Sequence, residues 1–460
     1  MYLFWGKGYY HIKRRKHMKE KIIHREEKLY KDPKLLAKFI ILSAIGIFAF
    51  FIPIKVDGKS TIPLEYVISL FINSLPKVAT AYAFIIIMIG AFRPFVKGTW
   101  KTDKVTIIFS FTKLIGAFFT LYLFSGYAPE AVARDDHGPF LFNSLAIQVG
   151  TLIPISAIFI TFLMDYGFID FIGNFLRPIM RAIWKTPGRT AVIAVAAFMG
   201  STAVGVMMTD DLYRERKYTQ REAVAVVTGF TTVAISFLIV IANTTDLMEY
   251  WGEYVFVSLF VTFALSAITV RIPPISTTPN RYYKDMEGYP EEKLEGNLFM
   301  ASLNEGLTLC KEAGPVVPRT TKNVLDSFNL VFEVLPNFMS IGLVALIIAN
   351  YTQVFDYFGY ILYPLTLLLR IPEPLLAAKA AMLGLAEMFL PVMVVTKAPL
   401  VTRFIISVMS VAQVIMFSTT IPTIVASEID VSIKDLVIIW FERTVFCFLI
   451  TTPIAFLLIK

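Results

Sequence analysis

Apolar runs of about 18 or more residues recur along the chain from Leu35 to Ile459, separated by short polar or charged stretches. Each is long enough to cross roughly 30 Å of hydrocarbon at about 1.5 Å per residue of helix. Barrel strands would be nearer ten residues, approximately, and would alternate in polarity. The pattern therefore predicts an all-α integral membrane protein. In the first half the runs are Leu35 to Ile54, Tyr66 to Phe92, Val105 to Tyr127, Phe140 to Met164, Arg221 to Asn243 and Trp251 to Val270. The stretch "YGFIDFIGNFLRPIMRAIWK" mixes apolar residues with Arg177, Arg181, Lys185 and Pro178, which suits a helix lying in the interface.

One run breaks the simple reading. Ala191 to Met208 is uninterrupted by charge, yet Arg189 precedes it and Arg214, Arg216 and Lys217 follow. A crossing helix usually carries its basic flank on the cytoplasmic side only. Basic flanks at both ends, with Gly200, Ser201 and Thr202 at the midpoint, predict a re-entrant hairpin over 188–210. Backbone that leaves the helix inside a membrane must be buried in protein or line a wet cavity, so such a tip points to a site. The competing reading is one straight span whose small residues let neighbouring helices pack closely.

Composition and charge sharpen this picture. Of 460 residues, 56% are hydrophobic and 17% charged; mean hydropathy is +0.65. Residues 1–34 hold 11 Lys or Arg against 4 Asp or Glu, and so most of the formal net charge of +8. This basic segment has no apolar core beside a small-residue cleavage site, so it is read as a cytoplasmic anchor of topology at the cell membrane. Nucleic acid is not an expected partner; the lipid bilayer is. Cys310 and Cys447 form no metal or disulfide pattern.

The chain then repeats itself. "DYGFIDFIGNFLRPIMR" and "NYTQVFDYFGYILYPLT" share a Gly and a Pro five residues apart, Gly173 with Pro178 and Gly359 with Pro364. Each is followed by a second Pro, an Ala-rich run with Gly200 or Gly384, and two spans. An odd number of crossings per unit turns the second unit upside down. Arg177 to Arg221 holds eight Lys or Arg and Pro364 to Arg403 holds four, which agrees; the acidic loop "VASEIDVSIKD" does not. Inverted repeats with discontinuous helices are a mark of secondary transporters, whose substrates sit near the midplane. The expected organisation is a basic segment 1–34 and three helices over 35–127. A first repeat over 140–270 follows, then a cytoplasmic linker with an amphipathic helix over 271–326. A second repeat over 327–460 has its hairpin at 373–396. About nine transmembrane helices and two hairpins result.

"MLGLAEMFLP", "SVMSVAQVIMFS", "FERTVFCF" and "NLVFEVLPNFMSIG" resemble the YjiH type of Gate-domain (nucleoside recognition domain) membrane protein. That domain is shared with the permease part of ferrous-iron permease B and with sporulation maturation proteins A and B. The layout is distantly similar to concentrative nucleoside transporters. The resemblance implies alternating access, with a substrate held by both hairpin tips. Gly200, Ser201 and Thr202 match the Gly-x-Thr tip, and Glu387 matches the hairpin acid that contacts substrate hydroxyls. Ala203 stands where nucleoside transporters carry an acid, a departure that weighs against nucleoside specificity and against a sodium site there.

Residue by residue, the substrate-binding candidates are Gly200, Ser201, Thr202, Glu387, Ser410, Gln413 and Asn337. Glu387 leads them, because a carboxylate inside a membrane is costly unless it has a task; its structural alternative is an acid paired with Arg443 or with a backbone donor. Thr228, Thr231 and Thr232 beside Gly229, with Glu333 and Glu387, are the candidates for coupling Na⁺ or H⁺. Thr hydroxyls also bond back to their own helix, and Gln413 also serves as glue between helices. No catalytic residue, cofactor or resident metal is expected, since HExxH, P-loop and GxSxG patterns are missing from the sequence. The sequence thus predicts a secondary transporter of a small polar metabolite, such as a nucleoside or amino acid. The alternatives are a non-transporting Gate-domain scaffold and a metal-ion permease. A homo-oligomer is compatible with each.

Overall fold

A computed structural model describes residues 29–56, 59–101, 104–135, 137–199, 202–289, 297–425 and 427–459; most of the basic segment 1–34 lies outside them, as do the hairpin-tip residues Gly200 and Ser201. Helix α1 (Pro33–Phe51) starts where Asp32 accepts the backbone N–H of Lys34 and Leu35 at 3.0 and 3.2 Å, satisfying donors that an uncapped helix would leave open. A short antiparallel pair, β1 (Ile54–Val56) and β2 (Lys59–Thr61), turns the chain back. The run expected as one span from Tyr66 is two helices, α2 (Pro63–Ser74) and α3 (Pro76–Val96). Pro76 is the cause: it excludes helical backbone from the preceding residue, and Leu75 sits at φ −132°, ψ 54°. Helix α4 (Lys104–Ser125) completes the N-terminal group. Its Ile108, Phe111, Ile115 and Phe118 form an exposed apolar stripe, stable only against lipid.

The first repeat enters through a π-helical turn at Leu141–Ala146 into α5 (Ile147–Met164). The interfacial candidate is α6 (Phe168–Trp184). Next come α7 (Thr190–Met199), α8 (Thr202–Arg214), α9 (Gln220–Gly229), α10 (Ile235–Thr244) and α11 (Trp251–Thr269). In the linker, α12 (Leu298–Glu312) buries Ser302, Gly306, Leu307 and Cys310. The second repeat runs through α13 (Val316–Asn337), a π-helical turn and α14 (Leu343–Tyr351). It continues with α15 (Val354–Gly359), α16 (Tyr363–Leu368), α17 (Pro374–Leu383), α18 (Leu390–Val394), α19 (Leu400–Ala412), α20 (Thr420–Val425) and α21 (Ile433–Leu458). Among the described residues, seven helices are long and apolar enough to cross a membrane.

The two repeats run in opposite directions. Helices α5 and α13 are antiparallel: at one end Asp165 accepts from Arg319 at 2.7 Å and Asn323 at 2.6 Å, and at the other Gly342 meets Leu141. The same holds further on. Gln220, opening α9, donates to the Asp430 carbonyl beyond α20 at 2.6 Å, while Arg403 in α19 donates to the Thr245 carbonyl beyond α10 at 3.0 Å. The Gly and Pro pairs gain a physical meaning here. A Cβ on Gly173 would come 2.6 Å from Val192 of α7, and one on Gly359 would come 3.2 Å from the Lys379 backbone of α17. Each glycine lets the first arm of a hairpin cross its interfacial helix at close range.

Helices α7 and α8 fold back on each other. A Cβ on Gly205 would lie 3.1 Å from Ala197, and near the base the Thr190 and Tyr218 hydroxyls are hydrogen bonded at 2.9 Å. Both ends of the stretch therefore lie together, and a straight span is excluded. Single cysteines at Ala182 and Arg214, both exposed, in a chain lacking Cys310 and Cys447, should label from the same face of a sealed membrane. Labelling from opposite faces would contradict the hairpin.

Candidate functional site

The central feature is a pair of broken helices crossing in opposite directions. The first breaks over 230–234, between α9 and α10, and the second over 413–419, between α19 and α20. A helix that stops inside a membrane leaves carbonyls without intrahelical partners, and those at both C-termini are met by side chains. The Ser266 hydroxyl donates to the Gly229 carbonyl at 2.8 Å. Arg443 donates from Nε and Nη2 to the Ala412 carbonyl at 3.0 and 2.7 Å, and from Nη1 to Ser266 Oγ at 3.3 Å. One fully buried guanidinium thus links the ends of both broken helices, where the helix dipole favours a cation.

Each break is also covered by its own hairpin. At the first, the Thr202 hydroxyl donates to the Thr232 carbonyl at 3.4 Å. At the second, the backbone N–H groups of Phe417 and Ser418 donate to the carbonyls of Leu385 and Ala386 at 2.8 and 3.1 Å. Gln413 stitches the second hairpin to the last span, donating from Nε2 to the Ala381 carbonyl at 3.0 Å and to Thr444 Oγ1 at 2.9 Å. A Cβ on Gly384 would fall 1.8 Å from Gln413 Oε1, so this glycine is what admits the glutamine.

Glu387 sits in the turn between α17 and α18, half-buried. Its carboxylate accepts the Phe389 N–H at 2.6 Å and is also hydrogen bonded by the N–H groups of Met388 and Leu390. These donors belong to the two residues leading into α18 and to its first residue, so the acid caps the entry to that helix. It is not the partner of Arg443, whose donors go to Ala412, Ser266 and, at 3.5 Å, the Thr262 carbonyl. Of the two structural partners read from sequence, Arg443 is engaged elsewhere, and backbone donors are the ones the carboxylate meets. Beside the turn, Phe389 packs edge-on to Phe237 of α10 at 5.7 Å and near Phe338 at 6.1 Å.

The other candidates divide cleanly. Thr228 and Thr231 donate back to the carbonyls of Val224 and Val227, and Ser410 to that of Ser407; these hydroxyls are occupied. Thr232 differs: among the described residues its buried hydroxyl has no partner, and neither has that of Ser418. Glu333 and Asn337 face the N-terminal helices, away from both breaks. Glu333 pairs with Lys113 of α4, and Asn337 accepts from Thr112 at 3.5 Å and donates to the Glu333 carbonyl at 2.9 Å. Of the first tip, only Thr202 lies among the described residues. Sequence reasoning gave Arg443 no role at the site; its place in "FERTVFCF", as a cation inside an apolar run, was the available signal.

The Gate family model, described as nucleoside recognition, matches residues 146–248, the stretch from the start of α5 to just beyond α10. Over 453 residues the chain is 31% identical to the uncharacterized protein BpOF4_10220 of Alkalihalophilus pseudofirmus, covering 94% of this chain and 95% of that protein. The chain belongs to that protein's family, and it is a multi-pass membrane protein carrying a Gate domain. Two solved structures are also similar. CNTnw in an inward-facing substrate-bound state has 14% identity and a TM-score of 0.39, covering 92% of this chain and 91% of that one. A CNTnw variant in an outward-facing state has 16% identity and a TM-score of 0.44, covering 92% and 97%. A likeness at this level says nothing of this chain's substrate.

Proposed function

We propose that the protein is a secondary transporter of a small polar metabolite, with nucleosides the first class to test. The observation that carries this reading is the antiparallel pair of broken helices, each covered by a hairpin and each with polar groups left unengaged. Thr232 on one side and Ser418 on the other supply the unengaged hydroxyls, and the Thr202 hydroxyl and Glu387 carboxylate beside them could exchange their present partners for sugar hydroxyls. The Phe237, Phe338 and Phe389 cluster supplies an apolar wall for a ring. Alternating access between the two repeats would expose this region to each face in turn.

A proton is the better-supported coupling ion. The helix C-termini where Na⁺ would find carbonyls are taken by Arg443 and Ser266, and the Thr228 and Thr231 hydroxyls bond back to α9 carbonyls; Glu387 remains as an acid in the turn of the second hairpin. The N-terminus is placed in the cytoplasm by its basic residues, and the membrane is proposed to be the cell membrane. Metal permeation has less support: among the described residues no three His, Cys, Asp or Glu side chains converge.

The test is uptake of radiolabelled uridine, adenosine and amino acids by proteoliposomes, preceded by a thermal-shift screen of the purified chain. A ligand at about 100 times its dissociation constant stabilises by about 2.7 kcal/mol. One observation favours a second reading, a scaffold that moves nothing: Gln413 and Ser410 are sealed by packing. Absence of binding and uptake across both metabolite classes would decide for the scaffold.

A further inference from the structure

A second polar site lies away from both breaks, at the far end of α10 on the face carrying the β1–β2 turn. Glu65, Ser69 and Asn73 recur every four residues along one side of α2 and line a cleft of about 340 Å³ with Asn143, Gln148 and Asn243. That is the size of a small-ligand site. Glu65 is 7% exposed. One carboxylate oxygen accepts from Ser69 Oγ at 3.1 Å and from Gln148 Nε2 at 3.4 Å; the other, Oε2, is buried with no donor. Asn243 lines the same cleft, and its Nδ2 completes no hydrogen bond.

Among the described residues, Glu65 is the one ionisable residue lining this cleft, and the donors offered to it, Ser69 and Gln148, are neutral. A buried carboxylate without a counter-charge is unfavourable by several kcal/mol, approximately, so the site is complementary to a single positive charge. The unengaged groups define the rest of the ligand: an N–H donor for Glu65 Oε2, and an acceptor for Asn243 Nδ2. We propose that this cleft binds a small organic monocation, a protonated primary amine bearing a hydroxyl or amide acceptor. The site is independent of the transport reading, since it shares no residue with either break.

The test uses the purified full-length chain and measures thermal stabilisation as a function of ligand concentration. Ethanolamine and glycinamide are the probes; tetramethylammonium, which has the charge but no N–H, and NaCl at equal ionic strength are the controls. Stabilisation by the amines alone is expected. Glu65→Gln should weaken their apparent affinity by about 10- to 150-fold, the range for losing one charge-assisted hydrogen bond. Asn73 is exposed at the rim, so Asn73→Trp should block the cleft without altering the ligand-free midpoint. The proposal is overturned if neither amine stabilises the wild-type chain, if NaCl alone gives the same shift, or if the amine shift survives both substitutions.

Discussion

Replacing Arg443 by leucine should lower the stability of the folded protein by about 2–4 kcal/mol, seen as a large drop in thermal midpoint and in monodisperse yield. Two effects oppose each other. Removing a buried guanidinium relieves a desolvation cost of several kcal/mol, roughly, and buried ion pairs replaced whole by apolar residues are often no less stable. Here, however, the partners are the backbone carbonyls of Ala412 and Thr262 and the Ser266 hydroxyl, and the carbonyls cannot be replaced with it. The Ala412 carbonyl would lose both donors at a fully buried helix end, and an unsatisfied buried acceptor costs about 1–3 kcal/mol. The vacated volume adds to this. Arg443→Lys should be intermediate, because an ammonium is a point donor that cannot fork between Ala412 and Ser266. A leucine variant as stable as the wild type would mean that the two helix ends do not need the cation.

Glu387→Gln should leave the fold intact while weakening substrate binding by about 10- to 150-fold. The amide keeps an oxygen to accept the Phe389 N–H, so the start of α18 stays capped, but the negative charge offered to ligand hydroxyls is gone. Glu387→Ala removes the cap as well and should cost a further 0.5–2 kcal/mol, approximately, of stability. The two variants separate the roles. If the glutamine variant binds and transports normally while the alanine variant is destabilised, Glu387 is a helix cap and nothing more. Binding is to be read with whichever metabolite stabilises the wild-type chain, or by proteoliposome uptake.

Membrane class, helical content and the doubled, inverted layout were all legible in the chain. They follow from run length, from the number of apolar residues needed to cross hydrocarbon, and from charge bias, each a property of local sequence. The matching of Gly173 with Gly359 was visible too, although what those glycines do, admitting Val192 and Lys379 at close range, needed coordinates. Boundaries failed where a single residue acts on the backbone, as Pro76 does in dividing the run after Tyr66.

The site was only half legible, and the reason is physical. Sequence identifies which polar groups lie in the membrane, but whether a hydroxyl is available depends on which acceptor is nearest. Thr228, Thr231 and Thr232 are the same residue type in one short stretch. Thr228 bonds within its helix, Thr231 just past the helix end bonds back onto its last turn, and Thr232, one residue further, has no partner for its hydroxyl among the described residues. Glu333 was placed on the right helix but turns to Lys113, 220 positions away in sequence. Arg443 reaches Ala412 and Ser266 across 31 and 177 positions. The sequence by itself determined the class, the elements and the inverted repeat, because these depend on near neighbours and on the thickness of a bilayer. Only the tertiary structure decided which polar side chains are engaged and which remain open, because burial and hydrogen-bond distance are set by residues far apart along the chain.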